Sequence, residues 1–215
     1  MVEPSKVIEI RELAQASYVL RMNRNGMKFR AGQHLVVGIP GSDEAREYSI
    51  YSGTKDDYLE ILVREVENGK LSKKLHNLKE GAELNIKGPY GFFMFNTQPP
   101  GNKRMVFIAS GTGIAPFHSF ARSYPDANFQ VIHGIRTEEE AFDRKDFPEG
   151  KYLSCTSRDP EGDFHGRVTD YLKKAEFEEG ILFYLCGNSV MIKDSMDILQ
   201  DKGFSMSQMF TEVYF

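Results

Sequence analysis

Residues 107–116 of this 215-residue chain read Phe-Ile-Ala-Ser-Gly-Thr-Gly-Ile-Ala-Pro. An apolar run suited to a buried strand stops at two glycines, and a helical segment follows. Glycines at such a junction remove the Cβ atoms that hold a ligand off the backbone. The unpaired N–H groups of the first helical turn then face any phosphate placed there. Pro116 suits that turn, where its missing N–H breaks no helical bond. The pattern departs from the common G-x-G-x-x-G, because Pro116 takes the place of the last glycine. Gly111, Thr112 and Gly113 are the candidate phosphate-binding turn of a nucleotide site.

The rhythm of the chain changes on either side of residue 100. Short strands are expected at 7–13, 17–22, 34–39, 46–50, 58–64 and 83–87, with one helix at 71–77. Gly, Asn or Asp separates most of them, as in antiparallel sheet folded into a small barrel. Gln98-Pro99-Pro100-Gly101-Asn102 reads as a linker. Beyond it, apolar strands at 105–109, 129–133, 152–156 and 181–186 alternate with helices at 115–123, 168–174 and 190–201. Nearly continuous apolar strands alternating with helices predict a parallel sheet covered on both faces. The expected fold is therefore two-domain β + α/β: an antiparallel six-stranded barrel over 1–100, then a doubly wound parallel-sheet domain over 101–215.

Composition narrows the function classes. The chain is 40% hydrophobic and 27% charged, which permits a globular core. Apolar runs such as 181–185 fall far short of the roughly 20 residues that cross a bilayer, so no membrane association is expected. A net charge of −4 gives no reason to expect nucleic acid. The first six residues lack the basic and then apolar segments of a secretory signal, which predicts a cytoplasmic protein with Cys155 and Cys186 as free thiols. No metal site is expected. Two cysteines also fall short of the four that a plant-type iron–sulfur centre needs, so any one-electron acceptor must be another molecule.

A second motif, Arg46-Glu47-Tyr48-Ser49 followed by Ile50-Tyr51-Ser52, lies about sixty residues before the glycine turn. With Gly111-Thr112-Gly113-Ile114-Ala115-Pro116, Cys186-Gly187-Asn188 and the tail Glu212-Val213-Tyr214-Phe215, it resembles the ferredoxin–NADP(H) reductase family of flavoproteins. The motifs stand in the family's order and span nearly the whole chain. The resemblance implies FAD in the barrel, NADP(H) on the sheet, and ferredoxin or flavodoxin as a transient protein partner of a monomer or weak dimer. The implied reaction is hydride exchange between nicotinamide C4 and flavin N5, followed by one-electron steps. An NAD(P)H:flavin reductase that releases reduced flavin, and a binding module without turnover, are the rival readings.

In that family the residue matching Arg46 pairs with the FAD pyrophosphate, and those matching Tyr48 and Ser49 lie against the flavin ring and near its N5. A guanidinium fork suits phosphate oxygens. Read alone, Tyr48 is an ordinary half-buried strand aromatic. Gly69, Leu71 and Ser72 match the family's second pyrophosphate contact, and Val63 sits on a strand whose backbone lies near the flavin in relatives. On the sheet side, Ser157, Arg158 and Arg167 match a run that holds the 2′-phosphate, with Arg136 a third cation for the same group. Asp159 stands beside them as a possible partner for the 2′-hydroxyl of NADH. Cys186 matches a thiol packed beside nicotinamide C4. No basic group adjoins it in sequence, so no thiolate chemistry is expected. Strand alternation puts Glu212 and Tyr214 on one face. In the family the matching tyrosine covers the flavin, and here either Tyr214 or Phe215 is the cover; a terminal strand packed into the core is the alternative.

Overall fold

The structure, a computed structural model, describes residues 4–14, 16–67, 69–95 and 103–214. The linker residues 98–102 and the final Phe215 lie outside the described residues.

Six strands build the first unit: β1 (Ser5–Glu12), β2 (Ser17–Asn23), β3 (His34–Gly38), β4 (Ala45–Ser49), β5 (Tyr58–Arg64) and β6 (Glu83–Tyr90). They pair antiparallel in the order β4-β3-β6-β1-β2-β5. The two edges of this sheet meet, because Ile50 bridges to Ile61 and the Tyr51 N–H donates to the Glu60 carbonyl at 2.7 Å. That closure makes it a barrel. Alternation along β2 sends Tyr18, Leu20 and Met22 into the barrel core, while Val19 joins a different apolar cluster outside it. β5 divides likewise, with Leu59, Ile61 and Val63 inward and Leu62 outward. Helix α1 (Lys70–His76) closes one end through Leu71 and Leu75.

The second unit is a six-stranded parallel sheet in the order β10-β9-β8-β7-β11-β12. Its strands are β7 (Met105–Ser110), β8 (Phe129–Ile135), β9 (Tyr152–Thr156), β10 (Phe164–His165), β11 (Leu182–Asn188) and β12 (Met209–Tyr214). β7 through β10 step outward in one direction, and the chain then returns to place β11 and β12 on the other side of β7. The reversal lies between β7 and β11, the place where open sheets of this kind bind ligands at their carboxyl ends. Val106 and Ile108 face a core shared with α3 (Val168–Lys174) and α4 (Ser189–Asp201). Met105, Phe107 and Ala109 face α2 (Ala115–Ser123), so both faces are covered. One strand, β10, went unread among the expected elements, and the tail read with strand alternation forms the last. β10 is only two residues long, and β12 is the tail itself, paired in parallel with β11. No helix among the described residues is long and apolar enough to cross a membrane.

Phe95, Phe107, Phe117 and Phe120 form the centre of a cluster that also takes Val19, Tyr51 and Leu62 from the barrel side. Polar contacts clasp the same junction. The Tyr51 ring stacks on His118 of α2 with centroids 3.7 Å apart, and the Ser119 hydroxyl donates to the Ser52 carbonyl at 2.7 Å. Arg11 of β1 holds Asp143 through its two terminal guanidinium nitrogens, at 3.0 and 2.6 Å. Arg122 holds Asp56 in the same forked way. His118, Asp143 and Asp146 bring ligand-type atoms within 4.8 Å of one another, but Arg11 and Arg122 already neutralise the two carboxylates.

Candidate active site

Two cavities open at the reversal point. One, of about 530 Å³, is lined by the Gly111 turn, by Gly134, Arg136, Ser157 and Arg167, and by Gly187 and Asn188 of β11. The other, of about 420 Å³, lies over the barrel and is lined by Arg46, Tyr48, Ser49, Gly69, Leu71 and Ser72. Both reach Arg64, Thr112 and Tyr214, so the two spaces meet at those residues.

The turn is built so that only glycine fits. Gly111 has φ +53°. A Cβ on Gly113 would stand 2.4 Å from the Cys186 carbonyl oxygen, and one on Gly187 would stand 2.4 Å from the Ser110 hydroxyl. β7 and β11 therefore come together tightly beneath the cavity, leaving the first N–H groups of the turn at its wall. Gly113 lets the turn seat against β11, and Gly111 and Thr112 are the turn residues that line the cavity where a phosphate chain fits. Asn188 caps α4 by accepting from the Val190 and Met191 N–H groups, so that helix starts one residue earlier than expected.

Where the cavities meet, two hydroxyls, a carboxylate and a thiol are linked. The Tyr214 hydroxyl donates to the Ser49 hydroxyl oxygen at 2.6 Å, and Ser49 donates to Glu212 Oε2 at 2.7 Å. Cys186 Sγ lies 3.9 Å from the same carboxylate oxygen. The parallel register of β11 and β12 sets Cys186 opposite Glu212 and Asn188 opposite Tyr214. Burial raises the Glu212 pKa, although hydrogen bonds from Ser49 and Cys186 oppose it. Burial, then the Glu212 charge, pushes the Cys186 thiol well up, and burial pushes Cys155 to about 12. Both cysteines are free, buried and neutral, separated by β7 and β8.

Most of the residues singled out from sequence converge here. Arg46 carries no ion pair to a described residue and is exposed at the barrel cavity, as are Arg136 and Arg167 at the sheet cavity. Arg158 is exposed but does not line the cavity; its N–H donates to the Arg136 carbonyl at 2.8 Å. The Val63 side chain lies in the barrel core, and alternation along its strand turns Leu62 and Arg64 to the cavity. Asp159 is taken up elsewhere, accepting from the Glu138 and Glu161 N–H groups. Three residues went unread. His34 Nδ1 lies 3.9 Å from Glu212 Oε1, and Arg64 pairs with the buried Glu140 at 3.3 Å. Glu140 sits in a Glu-Glu-Glu run that reads as solvated charge, and only the fold turns it inward.

The cavities fit the cofactors that the comparisons name. The family described as oxidoreductase FAD-binding domain matches residues 5–95, and the oxidoreductase NAD-binding domain matches residues 107–197. The ferredoxin–NADP reductase of Azotobacter vinelandii is 27% identical over 235 residues, covering 94% of this chain and 90% of its own length. The toluate 1,2-dioxygenase electron transfer component of Pseudomonas putida is 26% identical over 227 residues. It covers 97% of this chain, which spans 66% of that relative's length. Among solved structures, a ferredoxin NADP+ reductase from Neisseria gonorrhoeae with bound FAD and NADP superposes with a TM-score of 0.82 at 24% identity, covering 99% of this chain and 98% of its own. FAD and a nicotinamide dinucleotide are its cofactors, and the chain belongs to the ferredoxin–NADP(H) reductase family of flavoprotein oxidoreductases.

Proposed function

We propose that this oxidoreductase exchanges hydride between NADP(H) and its FAD, and passes electrons singly to a carrier protein, ferredoxin or flavodoxin. One observation carries the reading: the two cavities meet at Tyr214, with Ser49, Cys186 and Glu212 grouped at the junction. When bound, FAD supplies the coupling of two-electron to one-electron chemistry that side chains lack.

The chain's own contribution is placement. Arg46 offers the FAD pyrophosphate an exposed guanidinium with no ion pair among the described residues and one bond to the Ala45 carbonyl at 2.8 Å, and the Gly69–Ser72 turn faces the same cavity. Tyr48 provides an apolar wall for a flat ring, and an aromatic stack adds about 0.5–1.5 kcal/mol beyond simple burial. Ser49 holds a hydroxyl at the junction, fixed by Tyr214 and Glu212. Cys186 packs there as a small neutral group, and Tyr214 swings aside to admit nicotinamide, a gating step. Arg136, Arg158 and Arg167 supply positive charge at the adenosine end, while Asp159 is already engaged. This combination favours the 2′-phosphate of NADPH over the 2′-hydroxyl of NADH. The similarity to an oxygenase electron transfer component fits a protein acceptor outside the chain.

Anaerobic titration of the purified protein with NADPH and, separately, NADH tests the scheme. Bleaching of bound-flavin absorbance at far lower NADPH than NADH is expected, followed by reduction of added ferredoxin. Colourless protein that stays colourless with excess FAD would overturn it. Preferential reduction of free FMN would instead identify a flavin reductase.

A further inference from the structure

His133 of β8 is wholly buried, yet it touches the glycine turn. Its Nε2 lies 2.7 Å from the Gly111 carbonyl oxygen, and its Nδ1 lies 2.5 Å from the Tyr152 hydroxyl oxygen. A carbonyl oxygen only accepts, so the ring proton is on Nε2; Nδ1 then accepts from Tyr152. Tyr152 meets the imidazole edge-on, at 82° between planes. Burial lowers the His133 pKa to about 4, which keeps the ring neutral through the range of ordinary assays.

The Gly111–Thr112 peptide is planar and trans, so its carbonyl and the Thr112 N–H point opposite ways. With the carbonyl tied down to His133, the N–H is turned away from the sheet interior. Gly111 and Thr112 both line the cavity on that side. Packing does little to fix this peptide at Gly111: a Cβ built there would meet nothing within 4 Å, in contrast to Gly113, which is wedged against β11. The peptide belongs to a 3-10 turn over Gly111–Ile114, and the histidine bond adds a side-chain tether to its carbonyl that opposes rotation of the peptide plane.

We propose that His133, held in one tautomer by Tyr152, is a positioning residue that fixes the Gly111–Thr112 peptide so that the Thr112 N–H meets the dinucleotide's pyrophosphate. This rests on the nucleotide reading above. It assigns a role to a buried pair that touches neither cofactor.

The test compares His133→Leu, which removes the donor, with His133→Gln, which keeps an amide donor toward Gly111. Both are used as FAD-loaded protein, titrated calorimetrically with NADP+ and with 2′-AMP, which lacks a pyrophosphate. H133L is expected to weaken NADP+ about tenfold while 2′-AMP binds as in the wild type, and H133Q to recover NADP+ affinity to within about threefold. In turnover the loss falls on the KM for NADPH rather than on kcat. Unchanged NADP+ affinity in H133L overturns the proposal, as does an equal loss for both ligands, which would mark general distortion. Should H133L fail to fold, Tyr152→Phe takes its place: about threefold weaker NADP+ with normal 2′-AMP supports the proposal, and unchanged NADP+ overturns it. Wild-type protein that binds 2′-AMP and NADP+ equally well overturns the pyrophosphate contact alone. Wild-type protein that binds neither overturns the nucleotide reading, and this proposal with it.

Discussion

The Ser49 hydroxyl donates to the Glu212 carboxylate at 2.7 Å across 163 residues of chain, joining the last residue of a barrel strand to the last strand of the parallel sheet. Tyr214, two residues beyond Glu212 and on the same face of β12, donates back to Ser49 at 2.6 Å. Neither unit alone contains this group. The site exists because the aromatic cluster around Phe107 and Phe120 and the ion pairs of Arg11 and Arg122 hold the two units in one arrangement.

Ser49→Ala tests that linkage. It removes both hydrogen bonds and leaves the Tyr214 hydroxyl and the Glu212 carboxylate without their Ser49 partner in a site largely shielded from water, at about 1–3 kcal/mol for each lost partner. Stopped-flow reduction of FAD-loaded protein by NADPH should slow by about tenfold to hundredfold, with the flavin spectrum in the oxidised state retained. An unchanged rate would remove Ser49 from the reaction.

The arginines should sort by position. Arg136 and Arg167 line the sheet cavity and Arg158 does not. Each charge-assisted contact to a phosphate is worth roughly 1.5–3 kcal/mol, a factor of about ten to a hundred in affinity. Arg136→Ala and Arg167→Ala should each raise the KM for NADPH by that factor, Arg158→Ala by less, and none should alter the KM for NADH. Equal effects on both dinucleotides would mean that the cations do not read the 2′-phosphate.

Much of this was legible because the informative residues are short-range signals. The Gly111–Gly113 turn follows β7 and the Arg46–Ser49 motif lies on β4, each within a few residues, and strand–helix alternation indicates the parallel sheet. The tail was half legible: alternation placed Glu212 and Tyr214 on one face, but their pairing with Ser49 depends on β12 lying parallel to β11. Strands β2 and β5 show why the junction was not legible. A barrel strand with one wet face should alternate, yet Tyr18 to Leu20 and Leu59 to Val63 are buried continuously, because the second unit covers Val19 and Leu62 and Arg21 covers Glu60. His34 and Glu140 carry no local pattern at all; their partners come from distant segments.

Arg11 and Asp143 give the stability prediction for the junction. The Asp143 side chain is only 6% exposed and is held by Arg11 and the Tyr51 hydroxyl. Burial works against its charge, but the Arg11 guanidinium together with the Tyr51 hydroxyl and nearby His118 lowers its pKa below the ordinary value. Breaking a fully buried pair by removing one partner costs about 3–5 kcal/mol, and solvent at the 35% exposed Arg11 side chain reduces this one to about 1–3 kcal/mol. Arg11→Met should therefore lower the urea midpoint by a matching amount. In wild-type protein the pair's contribution is present above the ordinary carboxylate range and is lost as pH falls through the depressed pKa. The variant keeps the Tyr51 hydroxyl but not the guanidinium, so it should lose less stability than the wild type as pH falls through that range.

His133 predicts a second, separate acid effect with a defined window. Unfolded, its imidazole titrates near 6.5; folded, burial holds it at about 4. Between those values the unfolded chain binds a proton that the folded protein refuses, so acid favours unfolding. A separation of about 2.5 pH units at 1.36 kcal/mol each corresponds to about 3 kcal/mol of stability lost between pH 6.5 and 4. Denaturation midpoints measured across that range should fall more steeply for the wild type than for His133→Gln, whose side chain carries no titrating group. Parallel pH profiles for the two proteins would show that the buried ring takes up its proton without unfolding the sheet around it.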